Sequence, residues 1–186
     1  MGSELQVVKW DGSQLKDLEI FFKSAESAGI TNNSSWDALQ LDYRTNVALF
    51  LVYIDNKIAG MSYAHQIDDW AISDPENYKD TYRVFARTCV LPEFRQFKLH
   101  FPRGSLAQAS GITAYTLKLQ WDHAISSGAK NIIWTTNLVG DIHSMKMTNY
   151  LKKFSSYNTK YYSFLENKYI YGTEQVVWKL LTGDII

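Results

Sequence analysis

The chain has 186 residues, of which 46% are hydrophobic and 20% charged, and its formal net charge at pH 7 is zero. This length predicts a single globular domain, and the balanced charge argues against nucleic acid or an anionic membrane as a partner. The sequence contains one cysteine, Cys89, which excludes an internal disulfide, and no apolar run has the length of a membrane span or signal peptide. A cytoplasmic protein is therefore expected.

The first elements of the chain alternate between strand and helix. Leu5–Trp10 predicts a short strand, after which Ser13 is the expected N-cap of an amphipathic helix that ends at Gly29. Ser35 is a candidate cap for a second short helix that runs to Leu41.

Two apolar runs follow, and their junction predicts a hairpin. Val47–Ile54 and Lys57–His65 are joined by the dipeptide Asp55-Asn56, a typical hairpin turn. Gln66–Asp80 is polar and is interpreted as a loop. Tyr82–Leu91 predicts a further strand, which stops at a proline.

A glycine-bearing turn then leads directly into a helix. Gln108–Thr113 precedes the helical pattern Ala114–Ser127, Gly128 ends it, and the β-branched run Asn131–Thr136 predicts the next strand. The first amides of a helix have no carbonyl partner within the helix, so this turn predicts a phosphate or pyrophosphate site that needs no metal.

The C-terminal part predicts one more helix, from Asp141 or His143 to Lys153, and two strands at Tyr161–Leu165 and Gln175–Leu181. Strands and helices in this order, without an internal repeat, predict an α+β fold with a mixed sheet.

Two motifs and the order of the predicted elements resemble the GCN5-related N-acetyltransferase (GNAT) superfamily. Val90–Arg95 is similar to that family's fourth strand and its exit, V-x-P-x-[YF]-R, and Gln108–Thr113 is similar to its pyrophosphate loop, Q/R-x-x-G-x-G/A. Ala124 and Gly128 match the small residue and the glycine of the following helix. The resemblance implies one acyl-CoA N-acyltransferase-like domain over 1–186, with a central mixed, mainly antiparallel sheet and helices on both faces.

The chain departs from the family pattern in two places. Gln96–Ala107 is inserted between the two motifs, and Thr113 stands where the family has a final Gly or Ala. Whether the phosphate loop works therefore depends on both features.

The resemblance implies an N-acetyltransferase that moves the acetyl group of acetyl-CoA to a primary amine, by direct transfer in a ternary complex and without a metal. Its partners would be coenzyme A and a small-molecule or peptide amine. The sequence leaves the acceptor, the general base and the oligomeric state open, a homodimer included.

The site residues are likewise those that the resemblance implies. The backbone N–H of Val90 would polarise the thioester carbonyl, and Tyr150 would protonate the thiolate, although one alignment puts Asn149 at that position. Coenzyme A would be bound by Val90, Leu91, Gln108, Ser110, Gly111, Ile112, Thr113 and Asn137.

Other polar candidates have simpler interpretations. His65 and Asp68-Asp69 could steer or deprotonate an amine, but a solvated turn is favoured, and Glu93 is interpreted as an exposed turn residue. Cys89 is interpreted as core, because a nucleophilic cysteine needs a histidine or cationic partner that the sequence does not show.

The segment Phe94–Ala107 interleaves basic and aromatic residues and allows an alternative function. The favoured interpretation of this segment is a surface loop. A contact with the 3′-phosphate of the cofactor ranks second, and binding of nucleic acid ranks third. The alternative to an enzyme is a non-catalytic GNAT-like domain that binds a partner through this loop.

Overall fold

The structure is a computed structural model that describes residues 2–30, 47–66, 81–96, 112–129, 131–137, 157–162 and 167–172. Its strands are β1 (Leu5–Lys9), β2 (Ala48–Ile54), β3 (Lys57–Gln66), β4 (Thr81–Val90), β5 (Asn131–Asn137), β6 (Tyr157–Tyr162) and β7 (Asn167–Gly172). Its helices are α1 (Leu15–Ser27) and α2 (Ile112–Ser126), and a short 3₁₀ turn covers Pro92–Phe94.

The seven strands form one sheet in the order β1-β2-β3-β4-β5-β7-β6. Every neighbouring pair is antiparallel except β4 and β5, which are parallel. The α+β fold with a mixed, mainly antiparallel sheet is therefore confirmed.

The hairpin of β2 and β3 forms where the sequence predicts it. Ile54 pairs with Lys57, and the two turn residues, Asp55 and Asn56, have φ values of 50° and 63°. Two consecutive left-handed residues are what a two-residue turn of type I′ requires, and Asp and Asn tolerate that conformation better than most residues.

One face of the sheet packs against α1. The helix buries Leu18, Phe21, Phe22 and Ala25, which lie three or four residues apart and therefore share one side of the helix. These side chains join residues of the sheet and Leu91, which follows β4, to form the α1-face core, whose members outside the helix are Leu49, Leu51, Ile58, Met61, Tyr63, Cys89 and Leu91.

The opposite face packs against α2. The side chain of Gln120 in α2 donates a hydrogen bond to Ser62 Oγ, which lies 2.9 Å from Thr88 Oγ1. Ser62 lies between Met61 and Tyr63 on β3, so alternation along the strand directs it away from the α1-face core. Helices on both faces of the sheet are thereby confirmed.

Both described helices end at the predicted glycines. Gly29 and Gly128 have φ values of 74° and 83°, and the amides that follow them, of Ile30 and Ala129, donate back to Ala25 and Ala124. A glycine accepts this left-handed conformation without the strain that a Cβ would add, so each helix stops there.

The predicted cap of α1 is wrong. Ser13 donates through both its backbone N–H and its hydroxyl to the carboxylate of Asp11, at 2.9 and 2.7 Å. The N-cap is Gln14, whose carbonyl accepts from Leu18 N–H and whose side chain makes no capping bond. The local turn built by Asp11 directs the Ser13 hydroxyl toward the Asp11 carboxylate instead of the first amides of the helix.

The C-terminal strands differ from the prediction. The run predicted over Tyr161–Leu165 overlaps only the end of β6, and β7 was not predicted. β6 and β7 pair with each other over all six residues, and their polar, tyrosine-rich sequences give no clear apolar alternation. Gln66, predicted as the first loop residue, is the last residue of β3. The predicted helices at 35–41 and 141–153, the strand at 175–181 and the loop residues 67–80 lie outside the described residues. No helix within the described ranges is long and apolar enough to cross a membrane.

Candidate active site

The parallel strands β4 and β5 separate in the middle of the sheet. They pair only from Thr81 to Arg83 on β4 and from Asn131 to Ile133 on β5. Both strands continue in the same direction beyond this pairing, β4 to Val90 and β5 to Asn137. We call the space between these diverging segments the β4–β5 gap.

An irregularity in β4 accompanies the separation. Tyr63 pairs with Arg87 and His65 pairs with Arg83, so a step of two residues along β3 faces a step of four along β4. Extra residues on one strand of an antiparallel pair bend that strand and increase its twist. The irregularity begins at Arg83, the last residue of β4 that pairs with β5.

The backbone of Val90 faces the gap. The N–H of Leu91 donates to the carbonyl of Ala59 on β3 at 2.8 Å, so the backbone N–H of Leu91 points toward β3. Successive residues of a strand direct their hydrogen-bonding groups to opposite sides, which turns the N–H and C=O of Val90 away from β3. The Val90 carbonyl accepts a bond from Arg95 Nε at 2.8 Å.

Helix α2 begins beside the same end of β4. Its first residue, Ile112, is 8% exposed and is buried with Val52, Ile54 and Ala59, and Val90 packs against this group. The first amides of the helix lack carbonyl partners within it and carry the positive end of the helix dipole. The end of β4 and the start of α2 together therefore offer backbone donors to an acyl group and to an anion.

The structure places the predicted site residues as follows. Val90 faces the gap and packs against the cluster that contains Ile112, and Leu91 follows Val90, with its side chain in the core and its amide bonded within the sheet. Thr113 lies in the first turn of α2, and Asn137 ends β5 on the other side of the gap. Four predicted residues, Gln108, Ser110, Gly111 and Tyr150, lie outside the described residues.

The other polar candidates lie in different environments. His65 is a buried residue of β3 whose Nδ1 lies 2.6 Å from the carbonyl of Gln66, so the solvated-turn interpretation is wrong for this residue. Since a carbonyl only accepts, Nδ1 carries the proton of that bond. Glu93 is exposed in the 3₁₀ turn, as expected, and Asp68-Asp69 lie outside the described residues.

Cys89 belongs to the core, which confirms its interpretation. Its side chain is part of the α1-face core, and burial raises the pKa of its thiol against the smaller opposing effect of the Arg95 charge. The thiol therefore stays protonated near neutral pH and is a poor nucleophile. Within the described part of the chain, no group of three His, Cys, Asp or Glu side chains could hold a metal ion.

Two features of the site were not predicted. One is the bond from Arg95 to Val90, and the other is the close approach of Gly60 on β3 to β4. A glycine inside an apolar strand is a recognised signal of such an approach, so Gly60 could have been singled out from the sequence.

Comparison with solved structures identifies the fold. An acetyltransferase of the GNAT family from Streptococcus pneumoniae superposes with a TM-score of 0.53 at 12% identity, over 91% of this chain and 98% of that one. The GNAT domain of PAT from S. lividans gives 0.56 at 11% identity, over 90% of each chain. The yncA protein of Salmonella typhimurium, solved with its cofactor acetyl-CoA, gives 0.52 at 10% identity, over 90% of this chain and 91% of that one.

The fold is that of the GNAT family of acetyltransferases, so the resemblance stated from the sequence motifs is confirmed at the level of the fold. No family model matches the sequence, and no curated protein matches it significantly.

Proposed function

We propose that the protein is an acetyl-CoA-dependent N-acetyltransferase that acts on a primary amine by direct transfer. The observation that carries this proposal is the β4–β5 gap, whose open edge at Val90 lies beside the first turn of α2. A solved neighbour of the same fold contains acetyl-CoA, which supports this choice of co-substrate.

The start of α2 and the end of β4 suit the two ends of such a molecule. The diphosphate needs backbone donors and a positive potential, and the N-terminus of α2 supplies both without a cation. The pantetheine arm is extended and amide-bearing, and the part of β4 that does not pair with β5 would offer it the hydrogen bonds of an added strand. We infer that Ser110, Gly111, Ile112 and Thr113 bind the diphosphate, aided by Gln108 and Asn137.

Val90 would supply the electrostatic part of catalysis. Acetyl-CoA provides an acetyl group already activated as a thioester. The N–H of Val90 would donate to its carbonyl oxygen, where negative charge grows as the amine attacks. A fixed backbone donor needs no reorganisation during the reaction, and Leu91 keeps this segment in place through its bond to Ala59.

The acceptor amine must lose a proton before or during attack. A lysine-like amine has a pKa of about 10.4, so roughly one molecule in 10³ is neutral at pH 7. The bond from nitrogen to the acetyl carbon forms as the carbon–sulfur bond breaks, and the departing thiolate takes up a proton. We propose Tyr150 as the donor of that proton.

A thermal-shift titration with acetyl-CoA tests the proposal. Because ligand that binds only the folded state stabilises it, acetyl-CoA at about 100 times its Kd adds about 2.7 kcal/mol. For a chain of this size that corresponds to a rise in Tm of about 5–10 °C. Adenosine serves as the control, since it lacks the diphosphate, and should give a much smaller rise.

An unchanged Tm at millimolar acetyl-CoA would contradict the proposal that the protein is an acetyl-CoA-dependent enzyme. The alternative, a non-catalytic GNAT-like domain that binds a partner through 94–107, would then be preferred.

A further inference from the structure

Gly60 on β3 lies directly opposite Val90 on β4. It pairs with Val90 in the β3–β4 register, and a Cβ added to it would lie 2.5 Å from the carbonyl oxygen of Cys89 and 3.2 Å from Cα of Val90. Both neighbours are backbone atoms, which cannot turn aside as a flexible side chain would. Any side chain at position 60 must therefore displace the Cys89–Val90 peptide, the group that carries the Val90 N–H.

Arg95 holds the same residue from the other side. Its Nε donates to the Val90 carbonyl at 2.8 Å, while the next amide, of Leu91, donates to Ala59 at the same distance. The Val90–Leu91 peptide is thus bonded at both its oxygen and its hydrogen. Since the Val90 carbonyl faces the gap, the Arg95 guanidinium lies on the gap side of β4.

This arrangement changes what the strand edge can bind at Val90. An open edge normally offers a donor and an acceptor together, which suits another peptide group. Because Arg95 already donates to one of the two acceptor positions of the Val90 carbonyl, the N–H is the group of Val90 that stays fully available at the edge. A single donor matches a group that only accepts, such as the carbonyl of a thioester.

We propose that Gly60 and Arg95 are positioning residues for acyl transfer, which together hold the Val90 N–H against the thioester carbonyl. The inference rests on the proposed function and deepens it. Gly60 contributes through the space that it leaves open, and Arg95 through its bond to the carbonyl.

The infrared stretch of the bound carbonyl tests this directly and needs no acceptor. Acetyl-CoA labelled with ¹³C at the thioester carbonyl is added to the unmodified protein and to Gly60→Ala. Loss of the hydrogen bond should move the bound carbonyl band to higher frequency in the variant. Affinity should change by less than about tenfold, because the contacts of the helix N-terminus with the diphosphate are retained.

Met61→Ala is the matched control for lost stability. Met61 follows Gly60 on β3, but its fully buried side chain lies in the α1-face core. This variant should lower the Tm and leave the carbonyl band where it is in the unmodified protein.

Variants of Arg95 provide an independent second test, since the side chain of Arg95 is exposed and its removal does not threaten folding. Arg95→Ala should also raise the band frequency, and Arg95→Lys, which keeps a cationic donor, should restore it in part. If Gly60→Ala does not fold, as judged by circular dichroism, the Arg95 variants decide.

A band unchanged in both Gly60→Ala and Arg95→Ala, with acetyl-CoA bound, would overturn the inference and leave the proposed function standing. Failure of the unmodified protein to bind acetyl-CoA would overturn the proposed function, and the inference with it.

Discussion

Replacing Thr113 with glutamate is expected to weaken acetyl-CoA binding by at least about 30-fold. Thr113 is the second residue of α2, in the turn that we assign to the diphosphate. Two like charges about 8 Å apart at an effective dielectric constant of about 20 repel by roughly 2 kcal/mol, which corresponds to that loss. Isothermal titration with acetyl-CoA measures it.

The same substitution is expected to stabilise the free protein. A carboxylate in the first turn of a helix interacts favourably with the helix dipole, by about 0.3–1 kcal/mol. Weaker binding together with an equal or higher Tm would distinguish lost phosphate binding from misfolding.

Thr113→Gln is the control for this experiment, since it has the shape of glutamate without the charge. It should bind acetyl-CoA nearly as the unmodified chain does. If glutamate and glutamine weakened binding equally, steric crowding would be the cause, and the diphosphate would lie elsewhere.

Replacing Phe21 with alanine is expected to lower the free energy of unfolding by about 3–5 kcal/mol, the range for a phenylalanine truncated in a core. Phe21 is fully buried on α1 and contacts Phe22, with 5.9 Å between the ring centroids. A domain has only about 5–15 kcal/mol of stability in total, so the loss is severe. Urea denaturation measures it.

Ile20→Ala is the neighbouring control. Ile20 lies next to Phe21 on the same helix but is 45% exposed, so its truncation should change stability by less than about 1 kcal/mol. Equal losses from the two substitutions would mean that α1 does not pack on the sheet as described.

The α1-face core also supports the site. Cys89 and Leu91, the residues on either side of Val90, both belong to it. Destabilised variants such as Phe21→Ala should recover stability on addition of acetyl-CoA, as any ligand of the folded state provides.

Local signals in the sequence predicted much of the fold. Asp55-Asn56 fixed the hairpin, Gly29 and Gly128 ended both helices, and the apolar run Asn131–Thr136 marked β5. Each signal lies within a few residues of its consequence, which is why it can be recognised without knowledge of the fold.

The parts of the site that the sequence did not predict depend on pairing between distant segments. The extra residues of β4 can be recognised only once its register with β3 is known. The β4–β5 gap can be recognised only once the pairing of β4 with β5 is known. The contact of Gly60 with Cys89 and the burial of His65 likewise follow from strands brought together by folding. The wrong cap at Ser13 has a different cause, since two local hydrogen-bonding patterns compete there.

The most direct test of the account is amide hydrogen exchange at Val90 and Leu91, measured by NMR with and without acetyl-CoA. The Val90 N–H faces the gap, whereas the Leu91 N–H is already bonded to Ala59. Acetyl-CoA should slow local exchange at Val90 about tenfold, as expected for one added hydrogen bond of about 1.4 kcal/mol, whereas exchange at Leu91 should slow only as far as the ligand raises the global stability. Saturation with acetyl-CoA and no change at Val90 would contradict the placement of the thioester in the β4–β5 gap.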